Sequence, residues 1–392
     1  MRKYEEDKTK PCNRVVTNYC YNIVNNYQGY ITGIDVTYTM PEEAEAIQDI
    51  LNYNDVQAED NEFLKSALVY GVAYEINYID EDGRQRFKVL DSRECVPIFD
   101  NTLNQELLVV IRFYLVDPLD TTKGYYVDVY DNNWVYNYKM TSGFSSLQFI
   151  GGNRHYYNQV PVTVFYLNKE HESIFDKVIT LQDAYNKLLS KEIDDFEAFC
   201  DAYLVLSGGQ FDEAMVSMFK SSRVIGLPPG GEASFLNKSI SDTQIENMLD
   251  NINKQIHKIS NSPDFTDDAF GTSSGIAMKY KLLGFENVAS SIVTSMTKAL
   301  QRRLELICAI LNMTGGDAMW RDVEIVFTRN LPVDLADVAN MVNSLRGLVS
   351  DKTLLSQIPF VSNIQQELEQ IEGESASKAS QYNLTLDNDV LD

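Results

Sequence analysis

Residues 173–202 read SIFDKVITLQDAYNKLLSKEIDDFEAFCDA and contain neither proline nor glycine. Their apolar side chains recur at helical spacing. The stripe consists of Ile174, Val178, Leu181, Tyr185, Leu188 and Leu189, and Ile193, Phe196 and Phe199 extend it less regularly. The pattern predicts one helix of about 30 residues, roughly 45 Å long at 1.5 Å per residue.

A small mixed unit follows this helix. The predicted elements are a strand Tyr203–Leu206, a turn at Gly208-Gly209, a helix Asp212–Lys220, a strand Arg223–Leu227, a Pro228-Pro-Gly-Gly231 turn and a strand Ala233–Leu236. A second apolar stripe then runs from Ile245 to Ile259 with a 3.6-residue period. The sequence therefore predicts a small α/β unit between two amphipathic helices.

A polar loop at 260–273 precedes the longest predicted helix, about 274–313, which Gly315-Gly316 ends. This helix carries Lys298, Arg302 and Arg303. Such a basic cluster either contacts DNA phosphates or, more commonly, pairs with nearby acids. A strand near 323–328 and helices near 334–348 and 364–372 follow. The last twenty residues are small, polar and acidic, and we expect them to be disordered.

On the N-terminal side, helices are expected around Val15–Val24, from Pro41 and over Asp60–Tyr70. The period then changes to two. Ala73–Ile79 and Arg84–Leu90 flank an Asp82-Gly83 turn and predict a hairpin. Further strands are predicted at Leu107–Tyr114, Tyr125–Tyr130, Trp134–Tyr138 and Val162–Tyr166. The fold class is α+β, with a helical part and an antiparallel sheet region.

The charge of the chain limits its function. The net charge of −24 argues against a protein that grips DNA by its phosphates. The negative charge is compatible with a conduit that DNA slides past. The simpler explanation is that the acidic residues only improve solubility. The N-terminus lacks an apolar signal region, and no run of 18 apolar residues occurs, so no membrane span is expected. Five cysteines without a CxxC pair indicate free thiols of a reducing cytoplasm.

Motifs for catalysis are missing from the sequence. It has no GxxxxGK[ST] loop, no HExxH and no GxSxG, and Gly271-Thr-Ser-Ser-Gly275 lacks the lysine of a phosphate loop. Asp194, Asp195, Glu197 and Asp201 could hold the metal of a nuclease. Because Asp194, Glu197 and Asp201 lie opposite the apolar stripe, a solvated helix face is favoured. We expect no catalytic residue, no cofactor and no metal.

Three stretches resemble the portal proteins of tailed bacteriophages, specifically those of Gram-positive siphophages. They are Tyr70-Gly-Val-Ala-Tyr-Glu-Ile with Asp82-Gly-Arg and Val96-Pro-Ile-Phe-Asp100; Val160-Pro-Val-Thr-Val-Phe with Asp176-Lys-Val-Ile-Thr-Leu-Gln-Asp and Asp201-Ala-Tyr-Leu-Val-Leu-Ser-Gly; and Thr272-Ser-Ser-Gly-Ile-Ala-Met-Lys-Tyr-Lys-Leu-Leu-Gly. The resemblance covers about Pro11 to Glu372, and the order and spacing of the stretches carry it.

The resemblance implies a portal fold with the following divisions: a wing at 1–172, a first stem helix at 173–202, a clip at 203–239, a second stem helix at 240–259, a channel loop at 260–273, a long wing helix and strand at 274–330, a helical crown at 331–375 and an acidic tail at 376–392. The family usually has a further helical stretch before the segment matching Pro11–Gly33, and the crown here looks short. The outer wing and crown are therefore expected to differ in detail.

The resemblance also implies the function. The chain would form a homo-oligomeric ring, a dodecamer, at one capsid vertex and provide the conduit for DNA packaging and ejection. Its clip would dock the terminase large subunit and later a head-completion or adaptor protein, with Met215, Met218, Phe219, Pro228 and Pro229 as candidate contacts. Capsid and scaffolding proteins are further expected partners, and double-stranded DNA would pass without sequence-specific binding. The expected location is the virion, with the host cytoplasm during assembly.

The expected channel loop carries Asp264, Asp267 and Asp268 and contains no lysine or arginine. In a ring these acids would form a collar that repels phosphates. Phe265 and Phe270 are expected to anchor the loop to neighbouring helices. Two alternatives remain open at this point: a metal-dependent nuclease of phage packaging that uses the carboxylates, and a helical scaffold protein without a role on DNA.

Overall fold

The computed structural model describes residues 12–41, 44–140, 146–200, 203–208, 230, 232–236, 242–265, 275–330, 335–358, 361, 364–365 and 367–373. The helices are α1 Tyr19–Thr32, α2 Glu45–Tyr53, α3 Val56–Tyr70, α4 Ile179–Cys200, α5 Asp242–Ser260, α6 Gly275–Met313, α7 Leu335–Leu345 and α8 Asp351–Leu355. The strands are β1 Thr37–Thr39, β2 Val72–Ile79, β3 Gln85–Leu90, β4 Cys95–Phe99, β5 Leu107–Leu115, β6 Tyr125–Tyr130, β7 Trp134–Met140, β8 Leu147–Arg154, β9 Val162–Tyr166, β10 Tyr203–Ser207, β11 Glu232–Leu236 and β12 Glu324–Val326.

Helix α6 runs through two hydrophobic clusters. Its first half packs against α1 and α3, where the rings of Tyr27 and Tyr30 lie 4.4 and 4.7 Å from the ring of Phe285. Its second half packs with Leu304 and Ile307 against α2 and β3. The helix has 39 residues and is therefore roughly 58 Å long. The predicted long helix is confirmed, and it connects most of the described elements.

The predicted hairpin is confirmed as β2 and β3, which pair antiparallel from Tyr74–Leu90 to Ile79–Gln85. Gly83 has a φ of 77°, which glycine adopts without strain. The Asp80 carboxylate closes the turn by accepting hydrogen bonds from the backbone N–H groups of Asp82 and Arg84. Strand β9 pairs with the other edge of β2 and completes a three-stranded sheet in the order β3-β2-β9.

A separate five-stranded antiparallel sheet has the order β4-β5-β6-β7-β8. Strands β5, β6 and β7 were predicted, whereas β4 and β8 were not. The two missed strands form the edges of the sheet: β4 contains Pro97 and β8 contains Gly151 and Gly152. Proline and glycine weaken a strand pattern and are tolerated mainly at sheet edges, so the sequence signal was weakest there.

Three predicted helix starts differ from the structure, and the first of these is the helix expected over Asp60–Tyr70, which begins at Val56. The helix expected from residue 173 begins at Ile179 and has 22 residues. A 3-10 helix, Asp176–Val178, leads directly into it, and the Ser173 N–H donates to the Asp176 carboxylate at this helix start. The Ile174 N–H donates to the carbonyl of Leu68. The N-terminal helix begins at Tyr19 rather than near Val15, since Val15 lies in an extended segment along α4.

Four of the five cysteines lie in the part of the chain whose side chains the structure describes. Cys12, Cys20, Cys95 and Cys308 are free thiols. Burial raises the pKa of the Cys308 thiol to about 11 and that of the Cys95 thiol to about 12, so both stay protonated at neutral pH and are weak nucleophiles. Within the described part of the chain, no helix has the length and apolar character needed to cross a membrane.

Candidate functional site

Helices α4 and α5 pack against each other in opposite directions. The start of the α4 segment meets the end of α5, since Val178 and Leu181 share a cluster with Ile252 and Ile256. The Tyr19 ring lies between the two helices, with its centroid 5.2 Å from Tyr185 and 6.0 Å from His257. The far ends of both helices therefore point the same way, toward the segment that connects them.

The connecting segment contains a two-stranded antiparallel ribbon, β10 and β11, paired from Tyr203–Leu236 to Ser207–Glu232. These two predicted strands are confirmed. Gly208 and Gly230 follow and precede the paired strands, and both have a left-handed backbone with φ of 77° and 85°. Such φ values favour glycine. A Cβ on Gly230 would lie 3.6 Å from the Gly208 carbonyl oxygen, so the two glycines bring the chain ends close together.

The rest of this unit lies outside the described residues. That part includes the helix predicted at 212–220, the strand predicted at 223–227 and all five candidate docking residues. These residues are Met215, Met218, Phe219, Pro228 and Pro229. Their assignment as a docking surface stays a prediction.

Residues 12–18, here called the strap, lie extended along α4 and run antiparallel to it. The backbone N–H groups of Asn13, Val15, Thr17 and Tyr19 donate to Asp194, Ser190, Asn186 and Gln182 at 2.6, 3.0, 2.9 and 2.8 Å. Gln182 also donates back to the Thr17 carbonyl. Four polar side chains of one helix face thus replace the partner strand that an extended segment usually needs.

The match between strap and helix follows from their repeats. Four residues of an α-helix rise about 6 Å, and two residues of an extended chain advance about 6.6 Å. Side chains four apart on α4 therefore meet every second residue of the strap. Sequence reasoning missed this contact, although Gln182, Asn186, Ser190 and Asp194 recur every four residues as the signal.

The carboxylates considered for a nuclease are partly engaged in this contact. The Asn13 side-chain amide donates to the Asp194 and Glu197 carboxylates, both at 2.9 Å. Over the described residues, no group of three or more histidine, cysteine or acidic side chains has an arrangement that could hold a metal ion. Asp201 lies outside the described residues. Asp194 and Glu197 therefore act in anchoring the strap.

The base of the predicted channel loop is fixed to the helical body. The Tyr27 hydroxyl donates to the Ser260 carbonyl at 2.9 Å, and the Asn26 amide donates to the Ser262 hydroxyl at 3.0 Å. Ser262 is 1% exposed. Asn261 lies over Gly284 of α6, where a Cβ would come within 2.7 Å of the Asn261 Oδ1. The first residues of the loop thus start from a well-packed framework.

The structure describes two of the five predicted loop residues. The Asp264 carboxylate lies 3.8 Å from the His257 Nε2, while the His257 Nδ1 is 2.9 Å from the Ser262 carbonyl oxygen. Phe265 is about half exposed, at 49%. Asp267, Asp268 and Phe270 lie outside the described residues, so the acidic collar and the anchoring role of the two phenylalanines stay predictions.

The three basic residues predicted as a cluster on α6, Lys298, Arg302 and Arg303, differ in burial and in partners. Arg303 is 0% exposed and Arg302 pairs on the surface with Glu305 at 2.8 Å. The Arg302 guanidinium also donates to Gln159 at 2.6 Å. Lys298 is exposed. Pairing with acids, the more common of the two expected roles, therefore holds for Arg302 and Arg303, and burial excludes a DNA contact for Arg303.

Arg303 joins three elements through buried ion pairs. Its guanidinium donates to Glu75 of β2 at 2.6 to 3.0 Å and to Asp60 of α3 at 2.5 Å. The Tyr38 hydroxyl of β1 donates to the other Asp60 oxygen at 2.6 Å. Burial raises the pKa of the Glu75 carboxyl, an effect that the Arg303 charge opposes. The cluster fixes α6 to α3 and to β2 of the three-stranded sheet.

Nearly the whole chain is similar to phage portal proteins. Residues 1–381 match the sequence model of the family described as "Phage portal protein, SPP1 Gp6-like". The chain is 23% identical over 411 residues to the portal protein of Bacillus phage SPP1, covering 98% of this chain and 80% of that protein. It is 22% identical over 387 residues to the portal protein of Clostridium phage phiCD119, covering 90% of this chain and 83% of the relative.

Proposed function

The chain belongs to the SPP1 Gp6-like family of phage portal proteins, and from that premise we propose which of its elements form the DNA conduit. It is a phage portal protein, a structural component of the virion. Portal proteins form oligomeric rings. The observation that carries the proposal is the antiparallel pair α4 and α5, with the β10-β11 ribbon at one end and the 260–273 loop at the other.

We assign α4 and α5 to the stem and the segment between them to the clip. Helix α5 has 19 residues, so the ribbon and the loop are separated by roughly 28 Å along the helix. An acid, Asp242, is the first residue of α5, and His257 and Lys258 lie in its last turn. This order suits the helix dipole and stabilises a stem helix that is largely solvent-exposed in the single chain.

The ring is a closed homo-oligomer of about twelve copies. A heterologous contact that closes on itself is the geometry a ring requires. Most side chains of α4 and α5 on the sides turned away from each other are exposed, among them Phe196 at 66% and Met248 at 53%. Exposed apolar groups on both stem helices favour lateral packing against neighbouring copies.

The loop at 260–273 lines the channel, and the clip faces the terminase large subunit during packaging and a head-completion or adaptor protein afterwards. The loop has no lysine or arginine, so phosphates of passing double-stranded DNA find no cation to pair with. Capsid and scaffolding proteins contact the ring during assembly in the host cytoplasm. We expect the chain to turn over no ATP, because the sequence has no phosphate-binding GxxxxGK[ST] loop. We expect it to cut no DNA, because the acids and histidines of the described residues form no group that could hold a metal ion.

Native mass spectrometry and negative-stain imaging of the purified protein test the proposal. The expected particle contains about twelve copies of the 44.6 kDa chain around a hole of duplex width. A protein that stays strictly monomeric when its scaffolding and capsid proteins are present would contradict the assignment. DNA cleavage that requires added Mg²⁺ and disappears in Asp194→Asn or Asp195→Asn would instead support the nuclease alternative.

A further inference from the structure

The five-stranded sheet has two sides of different chemistry. One side carries Arg112, Asp128 and Lys139 and packs through Val110 and Tyr130 against the three-stranded sheet. The register places Val96, Ile111, Val129 and Tyr136 in one row on the other side. We call this other side the apolar face.

The apolar face is almost free of charge. Every strand residue that the register places on it, from Val96 on β4 to Phe149 on β8, is aliphatic or aromatic apart from Gly152 and Arg154. Arg154 lies at the corner, where its guanidinium is 5.3 Å from the ring centroid of Tyr156. Such a continuous apolar side is unusual on a chain whose net charge is −24.

The rim of this face is exposed in the described part of the chain. None of the hydrophobic clusters formed by the described residues contains one of its side chains. Val96 is 47% exposed, Trp134 is 43%, Leu147 is 54% and Phe149 is 56%. At the centre of the face Val127 is buried, at 8% exposed, and Phe113, Val129 and Tyr138 around it are partly exposed.

The size of the face fits a specific protein contact. A stable interface removes roughly 800 Å² from each partner. The strongly exposed members contribute roughly half of that area, given side-chain surfaces of about 150–250 Å² for aromatic residues, and the half-exposed rows supply the remainder. The face therefore offers as much apolar area as one side of a standard interface.

We propose that the apolar face is a subunit contact of the ring and is covered by a neighbouring copy of this chain. Copies that each carry a charge of −24 repel one another on approach, and an uncharged area is where that repulsion is weakest. Since a ring contact is heterologous, the face meets a different surface of the next copy rather than the same face. The proposal rests on the proposed ring-forming function and adds a contact outside the stem.

Photo-crosslinking in assembled particles identifies the occupant. The photoreactive residue p-benzoylphenylalanine is placed at Phe149 in one variant and at Leu119 in a control, because Leu119 is 97% exposed in a loop of the same sheet. The Phe149 variant should give crosslinked dimers and higher multiples of this chain, whereas the Leu119 control should not. Crosslinks to a capsid or scaffolding protein, or between two apolar faces, or none at all, would overturn the proposal.

Charge substitution tests the same contact without a probe. Val96→Glu with Phe149→Glu should lower the ring association constant at least about tenfold, because each contact would bury unpaired carboxylates. The matched control is Leu103→Glu with Leu119→Glu, whose side chains are 104% and 97% exposed. The single subunits of both double variants should have the same unfolding temperature as the wild type, since all four substituted side chains are exposed in the single chain.

Ring fractions measured by native mass spectrometry decide between the outcomes. Wild-type ring levels in the Val96→Glu, Phe149→Glu variant would refute the contact. If that variant does not fold, the crosslinking result decides alone. Wild-type rings without a Phe149 crosslink to a second copy would refute this inference only, whereas the absence of wild-type rings would refute the proposed function itself.

Discussion

Replacing Arg303 by methionine is the sharpest test of how the body of the subunit is held together. Methionine keeps much of the apolar volume and removes the guanidinium, which leaves the Glu75 and Asp60 carboxylates buried without a cation. Both carboxylates are 1% exposed or less. Removing one partner of a buried ion pair costs about 3–5 kcal/mol. Because the Arg303 cation serves two carboxylates rather than one, the loss expected for Arg303→Met lies at the upper end of that range.

Arg302→Met is the matched control, since the same substitution is made one residue away. Arg302 is 29% exposed at its side chain and pairs with Glu305 on the surface, so its loss is expected to cost about 1 kcal/mol or less. Urea-induced unfolding, read as the shift of the midpoint at constant slope, gives both values. Adding Glu75→Gln and Asp60→Asn to Arg303→Met should recover part of the loss, because no buried charge then remains. Equal losses below about 1 kcal/mol for Arg303→Met and Arg302→Met would refute the account of the cluster.

The other predictions concern the strap, the pH dependence, the loop and the clip. Asn186→Ala should release the strap and speed amide hydrogen exchange at Val15 and Thr17. Lys187→Ala, on the exposed side of α4, should leave this exchange unchanged. Equal exchange in the two variants would contradict the contact between the strap and α4. Burial opposes ionisation of Glu286, but hydrogen bonds from Tyr30, Arg329 and Ser290 outweigh it and lower the pKa. Its stabilisation is therefore present above about pH 4.5 and lost as the pH falls, so Glu286→Gln should flatten the acid limb of the stability profile, and an unchanged limb would count against this. Asp267→Lys with Asp268→Lys should leave rings intact but slow DNA packaging, more so at low salt; normal packaging at low salt would show that the loop does not line the DNA path. Charged substitutions at Met215, Met218 or Phe219 should weaken terminase or adaptor binding, and unchanged binding of both would remove the clip assignment.

The regular parts of the fold were predictable because their patterns are local. The hairpin of β2 and β3 follows from alternation on both sides of Asp82-Gly83, and α6 follows from a long apolar stripe that Gly315-Gly316 ends. In each case the turn or cap residue is adjacent to the element it limits. Local chemistry was therefore sufficient to place these elements.

The missed features depend on partners that are distant in sequence. Val15 has an apolar side chain at helical spacing, yet its backbone bonds to Ser190, 175 residues away, and the segment is extended. The helix expected from Ser173 begins as a 3-10 helix at Asp176, and the Ile174 N–H before it bonds to the distant carbonyl of Leu68. Hydrophobic periodicity does not record either contact, so the helix boundaries shifted.

The functional elements were predictable to different degrees. The stem helices followed from their stripes, but the assignment of a clip and a channel loop came from resemblance rather than from the residues. Arg303 could not be told from Arg302 by sequence, since only the fold places one inside and the other on the surface. The apolar face could not be predicted either, because the sequence pattern missed β4 and β8, two of the five strands that form it.

A cryo-electron microscopy reconstruction of the assembled ring would locate α4, α5 and the loop relative to the ring axis. We expect a closed ring in which the segment 260–273 of every copy faces the central channel and the β10-β11 ribbon projects at the opposite end of the stem. A ring with these loops on its outer surface, or an assembly without a channel wide enough for duplex DNA, would contradict this expectation.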